Sequence, residues 1–240
     1  MCMMWGEKME NALKVTNVMS DPTRFYIYQY LVENHQDVSV VDIGNTFDIH
    51  PNVARLHLSK LEEVGLVTSY LKKTGKGGRP GRRYQLSNEV IELNFPARDY
   101  KILSSIALEA LMDLGDPGKK ALYETGKKYG KEAMRKSLNH LGEQLTIQDK
   151  IKLLENASRI LGMYPDFEYE SNTNSISFSI NNCPFKEIAT NNHKMVCEMH
   201  RIFIKGMFEV LFTSIDLIEK QNMFVNKCSN CAYTAKLLIV

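Results

Sequence analysis

Cysteine is scarce and oddly counted in this 240-residue chain: five residues, Cys2, Cys183, Cys197, Cys228 and Cys231. An odd number, with four of the five in the last quarter, does not suit a secreted disulfide framework, and metal binding or redox chemistry is the better reading. Long apolar runs are missing as well. No stretch approaches about 18 consecutive apolar residues, so no helical membrane span is expected. The opening MCMMWGEKMENALK lacks the apolar core and small-residue cleavage site of a secretory signal, and the expected location is cytoplasmic. Acidic residues vanish for twenty-five positions between Glu63 and Glu89. Within that gap Lys72, Lys73, Lys76, Arg79, Arg82 and Arg83 set six positive charges in twelve positions. An uncompensated field of this kind suits a polyanion, a solvated hairpin tip being the plainer alternative. GKGGRPG does not have the GxxxxGK[ST] spacing of a P-loop, which excludes nucleotide binding there. Neither paired carboxylates nor a His–Glu motif stands near Cys183 or Cys197, and Glu187 and Glu198 read as helix-surface residues. An enzyme is not expected.

What is present is a rhythm of helices. In SDPTRFYIYQYLVEN, Asp21 is placed to cap a helix whose first position, Pro22, has no N–H to lose. VSVVDIGNTFDI is a short second helix, and HPNVARLHLSKLEEVGLV a third, running from Pro51 to a terminating Gly65. LVTSYLKKT and RRYQLS read as strands of a basic hairpin joined by GKGGRPG. Three helices followed by a basic hairpin is the order of a winged helix-turn-helix. Farther on come helices from Asp99 to Gly115, from Lys119 to Gly142, broken from the first by Asp116–Gly118, and from Ile147 to Met163. DFEYESNTNSISFSI alternates around the turn-prone Ser171–Asn174 as two strands. MHRIFIKGMFEVLFTSI is an apolar helix and CSNCAYTAKLLIV a closing strand. The expected class is α+β, mostly helical, with a boundary near SNEVIELNFPAR. Residues 1–95 are then a winged helix-turn-helix and 96–240 a helical dimerisation region with an α+β sensor domain.

On the third helix Ala54, Leu58 and Leu61 share one face, and Asn52, Arg55 and Ser59 the opposite one. A helix entering the major groove needs such a polar face near its N-terminus. Arg can bond guanine, and Asn adenine, through two hydrogen bonds each. Asn52 and Arg55 are therefore the expected base readers, with Ser59 and Lys60 beside them. Lys76, Arg79, Arg82 and Arg83 are expected at phosphates or in the minor groove. His57 lies on the helix flank and reads as structural.

Cys183 and Cys197 on one straight helix would stand about 21 Å apart, too far to share a metal. The chain must bend between them, and Thr190–His193 offers asparagines that tolerate the turn. A short helix from Pro184 and a longer one from near Lys194 would set both thiols near helix N-termini, where the dipole lowers thiol pKa. The residues alone leave an iron–sulfur cluster, a zinc ion and inert buried cysteines open. Cys228 and Cys231 form a CxxC without a second such pair, unlike the common zinc modules. His193 and His200 are possible non-cysteine ligands.

SDPTRFYIYQYL, HPNVARLHLSKLEEVGLV and GKGGRPGRRYQLS resemble the winged-helix domain of ArsR-like transcriptional regulators over residues 10–88. NNCPFKEIATNNHKMVCEMHRIFIKGMF and CAYTAKL are similar to the C-terminal domain of the SufR-like branch, the Suf-operon repressors. The resemblance implies a DNA-binding regulator, not an enzyme, whose operator affinity is controlled by an iron–sulfur cluster, usually [4Fe–4S]. Carried over, Cys183 is the family's Cys-Pro cysteine, Cys197 opens the long helix, and Cys231 is the third ligand, with Cys228 a further candidate. The expected partners are a double-stranded DNA operator and a second copy of the chain, through helices at 99–145. Zinc, or a small apolar ligand, is the alternative in the C-terminal domain.

Overall fold

Asp21 and Pro22 open their helix as their chemistry requires: Asp21 Oδ1 accepts from the N–H of Arg24 at 2.9 Å, and α2 runs Pro22–Asn34. The computed structural model describes residues 2–34, 36–73, 80–94, 96, 98–138 and 145–238, with backbone alone for 2–9. It is α+β and mostly helical, and it divides into two compact units, Met1–Arg98 and Asp99–Val240.

In the first unit α1 (Cys2–Met19), α2, α3 (Val40–Phe47) and α4 (Pro51–Glu63) precede an antiparallel hairpin of β1 (Val67–Lys72) and β2 (Gly81–Leu86). Ser39 and Asp42 form a reciprocal capping box at the start of α3. Gly65 takes φ +77°, and the N–H groups of Gly65 and Leu66 return to the carbonyls of Glu62 and Leu61, closing α4 in a Schellman turn. Val15, Val18, Ile27, Leu31, Ile43, Leu58, Leu61 and Tyr84 fill the core. Val38 exchanges two hydrogen bonds of 2.8 Å with Tyr84, adding one residue of a third strand to the hairpin. The helix α1 has no counterpart among the sequence expectations.

In the second unit α5 (Tyr100–Asp113), α6 (Asp116–Leu138) and α7 (Ile147–Ile160) lead to β3 (Pro165–Glu170) and β4 (Ser175–Ile180). Then come α8 (Lys186–Leu211), β5 (Ile215–Gln221), α9 (Met223–Asn226) and β6 (Cys231–Leu237). The sheet is antiparallel in the order β3-β4-β6-β5. Its inner side chains, among them Ile176, Phe178, Leu217 and Tyr233, pack with Leu154, Phe203 and Phe208 from α7 and α8. Two expectations change here. Asp116-Pro117-Gly118 opens α6 instead of separating two helices, because a first-turn proline sacrifices no hydrogen bond; the break falls at Gly115, at φ +66°. The apolar helix stops at Leu211, and Ile215–Gln221 becomes an unanticipated strand paired with β6.

Helices α6 and α8 approach closely. A Cβ on Gly130 would overlap the carbonyl of Phe203, and one on Gly206 would overlap that of Lys127. Glu209 of α8 bridges Lys127 at 2.7 Å and Lys131 at 2.9 Å across the same seam.

Candidate functional site

The pattern of α4 puts Ala54, His57, Leu58 and Leu61 in the core and leaves Asn52, Arg55, Ser59 and Lys60 exposed. Lys60 is not free, since its Nζ lies 2.7 Å from Glu63 Oε2. His57 is buried as a structural residue, with Nδ1 4.0 Å from Asp21 Oδ1, and burial lowers its pKa. Gly44 of α3 passes close to the carbonyl of Ile49, and the turn to α4 continues through Asp48 at φ +52°.

The hairpin holds Arg82 and Arg83 differently. Arg82 is exposed, 3.8 Å from Glu62. Arg83, expected at phosphates, faces the body of the unit: its guanidinium lies 2.8 Å from Asp37 and 2.7 Å from Asp42. Tyr70 also donates to Asp37. The guanidinium and the phenol hold the Asp37 carboxyl far below the usual carboxylate range. Arg83 thus ties the hairpin to α3. Lys76 and Arg79 lie outside the described residues.

In the second unit, strand register brings distant cysteines together. Ile180, the last residue of β4, pairs with Cys231, the first of β6, and Cys183 follows three residues after Ile180. Non-helical dihedrals at Asn192 (φ −134°, ψ 38°) bend α8 within the stretch expected to turn. The longer limb beyond the bend carries Cys197 and, three residues on, His200. The three thiols lie within electrostatic reach: charge on Cys231 or Cys197 raises the pKa of Cys183, and charge on Cys197 raises that of Cys231.

The Phe185 N–H and the Asn222 side chain favour the charged forms of Cys183 and Cys197, and the Met223 N–H donates to Cys231 Sγ at 3.4 Å. Nδ1 of His200 stands 3.7 Å from Cys183 Sγ. Cys228 behaves in the opposite sense, its Sγ donating to the Asn230 carbonyl at 3.1 Å. His193 is near Phe224, with ring centroids 6.4 Å apart.

The expected lowering of the thiol pKa values is overturned. Burial is the largest influence on all three and raises them, Cys183 to about 12, outweighing the N–H groups that act the other way. The helix begins at Lys186, three residues beyond Cys183, and Cys197 lies five beyond the bend, so neither thiol is at an open helix end.

Among the described residues, no three His, Cys, Asp or Glu side chains converge tightly enough for one metal ion. A tetrahedral zinc site needs sulfurs about 3.8 Å apart, by the geometry of 2.3 Å Zn–S bonds. A polynuclear cluster takes its thiolates at wider separation, on different irons.

Residues 19–70 match the family of the helix-turn-helix domain. No curated protein was found to match the chain. Within this helix-turn-helix, α3 and α4 are the paired helices, and α4 is the second, the one such domains lay in the major groove. Sequence reasoning passed over two side chains of that helix. Val53 and Leu56 are 41% and 57% exposed, apolar and adjacent to Asn52 and Arg55, able to touch thymine methyl groups. Their signal was their interruption of the polar face. No helix among the described residues is long and apolar enough to cross a membrane.

Proposed function

We propose that the chain is a DNA-binding transcription regulator whose operator affinity depends on an iron–sulfur cluster, of [4Fe–4S] type, held by Cys183, Cys197 and Cys231. What supports the cluster is the placement of three cysteines, two buried and one half-buried, at a strand exit, on a helix limb and at a strand start, near enough to feel one another's charge. Cys228, turned to a carbonyl, is left out of the set. When bound, the cluster would supply a centre sensitive to iron, sulfide and oxidants. The chain's part is to bury the sulfurs, exclude water and hold them oriented. The resemblance of both halves to SufR-like regulators points the same way.

The DNA half of the reading rests on the helix-turn-helix match and the open face of α4. Asn52, Arg55, Val53 and Leu56 read bases, Ser59 supports them, and Arg82 contacts phosphate, with Lys76 and Arg79 assigned to the same duty from sequence. The protein acts as a homodimer, since helix-turn-helix proteins read paired half-sites with paired helices. The exposed Tyr100, Ile102, Leu103 and Ile106 of α5 supply an apolar face for the second copy. Its place is the cytoplasm.

Anaerobic purification of the full chain, with iron and acid-labile sulfide measured beside DNA affinity, tests both halves. A brown protein containing both elements, with an affinity that changes when the cluster is removed, supports the reading. Zinc in place of iron and sulfide redirects the site to a single-ion sensor. A colourless, metal-free protein with unchanged DNA binding sinks the metal reading and favours a small apolar ligand.

A further inference from the structure

His200 is held deep in the second unit, 5% exposed, with Nε2 lacking any hydrogen-bond partner. Its other nitrogen, Nδ1, stands 3.7 Å from Cys183 Sγ. The ring is fixed on both sides: Phe185 meets it edge-on at 5.1 Å between centroids, and Phe203 lies at 6.5 Å. A neutral imidazole carries one ring hydrogen, on either nitrogen. Placed on Nε2, that hydrogen would be a buried donor with nothing to bond, an arrangement proteins avoid. Placed on Nδ1, it points to sulfur.

The two nitrogens diverge from the ring, so Nε2 faces away from Cys183. Direct ligation through Nε2 would need a metal on the far side of the imidazole from Cys183.

We propose that His200 is the positioning residue of the thiol site: in its Nδ1–H form it donates to the sulfur of Cys183 and holds that sulfur oriented for the cluster. The inference rests on the reading that Cys183, Cys197 and Cys231 hold an iron–sulfur cluster. His200 acts through a ligand and is not one itself.

Two variants separate donation from packing. His200→Asn sets an amide N–H near the place of Nδ1, while His200→Phe keeps the ring and removes the donor. The full-length parent and both variants are reconstituted anaerobically with iron and sulfide. Iron retention against a chelator, the Fe–S(cysteine) stretching bands and the thermal melt of each metal-free protein are then measured. The expected result is an asparagine variant close to the parent and a phenylalanine variant with roughly 10- to 100-fold weaker iron retention, the usual effect of removing a ligand's outer partner. The phenylalanine variant's Fe–S(cysteine) bands move to higher frequency, and all three proteins melt alike. Equal loss in both variants overturns the proposal in favour of direct ligation or packing. An unchanged phenylalanine variant overturns it outright. A parent that takes up neither iron nor sulfide defeats the cluster reading itself and this inference with it.

Discussion

Gly130 of α6 lies against the carbonyl of Phe203 of α8 with no room for a methyl group between them. Alanine is the better helix former by about 1 kcal/mol, so propensity alone would have Gly130→Ala stabilise the protein. The added carbon meets backbone, which cannot swing aside, and overpacking of this kind costs roughly 1–3 kcal/mol or more. The overlap wins, and Gly130→Ala lowers the denaturation midpoint. Gly126→Ala is milder because its new carbon meets the flexible end of Met199. Urea unfolding of both variants gives the order, and a more stable Gly130→Ala would contradict the close seam.

Cys183→Ser, Cys197→Ser and Cys231→Ser each abolish cluster retention, while Cys228→Ser keeps it. The distinction comes from placement: Cys183, Cys197 and Cys231 feel one another's charge, whereas Cys228 Sγ donates to the Asn230 carbonyl. Iron and sulfide per chain, measured anaerobically, decide the matter. Loss in Cys228→Ser equal to the others would restore it to the ligand set.

Arg55→Ala relaxes discrimination at one base pair by about 1–3 kcal/mol, whereas Arg82→Ala weakens binding to every sequence and reduces the salt slope by about one unit. Arg83→Ala differs from both, lowering the stability of the first unit because Asp37 and Asp42 lose their guanidinium. Binding isotherms on a selected operator and a scrambled duplex, at several salt concentrations, separate the three. Uniform effects of Arg55→Ala and Arg82→Ala across all sequences would remove the base-reading role.

Asp37 gives the first unit an acid-sensitive tie. Its folded pKa lies below its unfolded value, chiefly through the Arg83 guanidinium and next the Tyr70 hydroxyl. The stabilisation is therefore complete above the unfolded value of about 3.9 and is lost as pH falls through the folded one. Asp37→Asn destabilises at pH 7 by roughly 1 kcal/mol, a figure reduced for partial solvent screening. The gap between parent and variant narrows below about pH 4. Chemical denaturation across pH 3 to 7 measures it, and a gap that widens on acidification would refute the assignment.

Leu103→Glu with Ile106→Glu places two charges on the face of α5 where these residues are 63% and 59% exposed. The double variant sediments as a monomer with its melting point little changed, and it binds a two-half-site duplex no better than a single half-site. A variant that stays dimeric locates the interface elsewhere.

Much of the fold was legible because local chemistry decides it. Asp21 and Pro22 start a helix, Gly65 ends one, and the asparagines before His193 permit the bend found at Asn192. Strand β5 was hidden because Ile215 and Leu217 continue the apolar pattern of α8; only pairing with β6 gives them their conformation. The cysteines were visible as residues, but their donors were not. Met223 and His200 reach the sulfurs of Cys231 and Cys183 through the folding of the chain, which no spacing reveals. The thiol pKa shift was expected in the wrong direction because helix position is readable from sequence and depth of burial is not. The tie that Arg83 makes was hidden for a related reason, since its acidic partners lie more than forty residues away along the chain.

The bend at Asn192 makes α8 a two-armed lever. Cys183 leads into the short arm, and the long arm carries Cys197 and then the stretch meshed with α6 at Gly130 and Gly206. Drawing the two sulfurs together or letting them part must flex that fulcrum. At the far end the long arm meets α6 backbone to backbone at Gly130 and Gly206, where no side chain lies between the helices to give way.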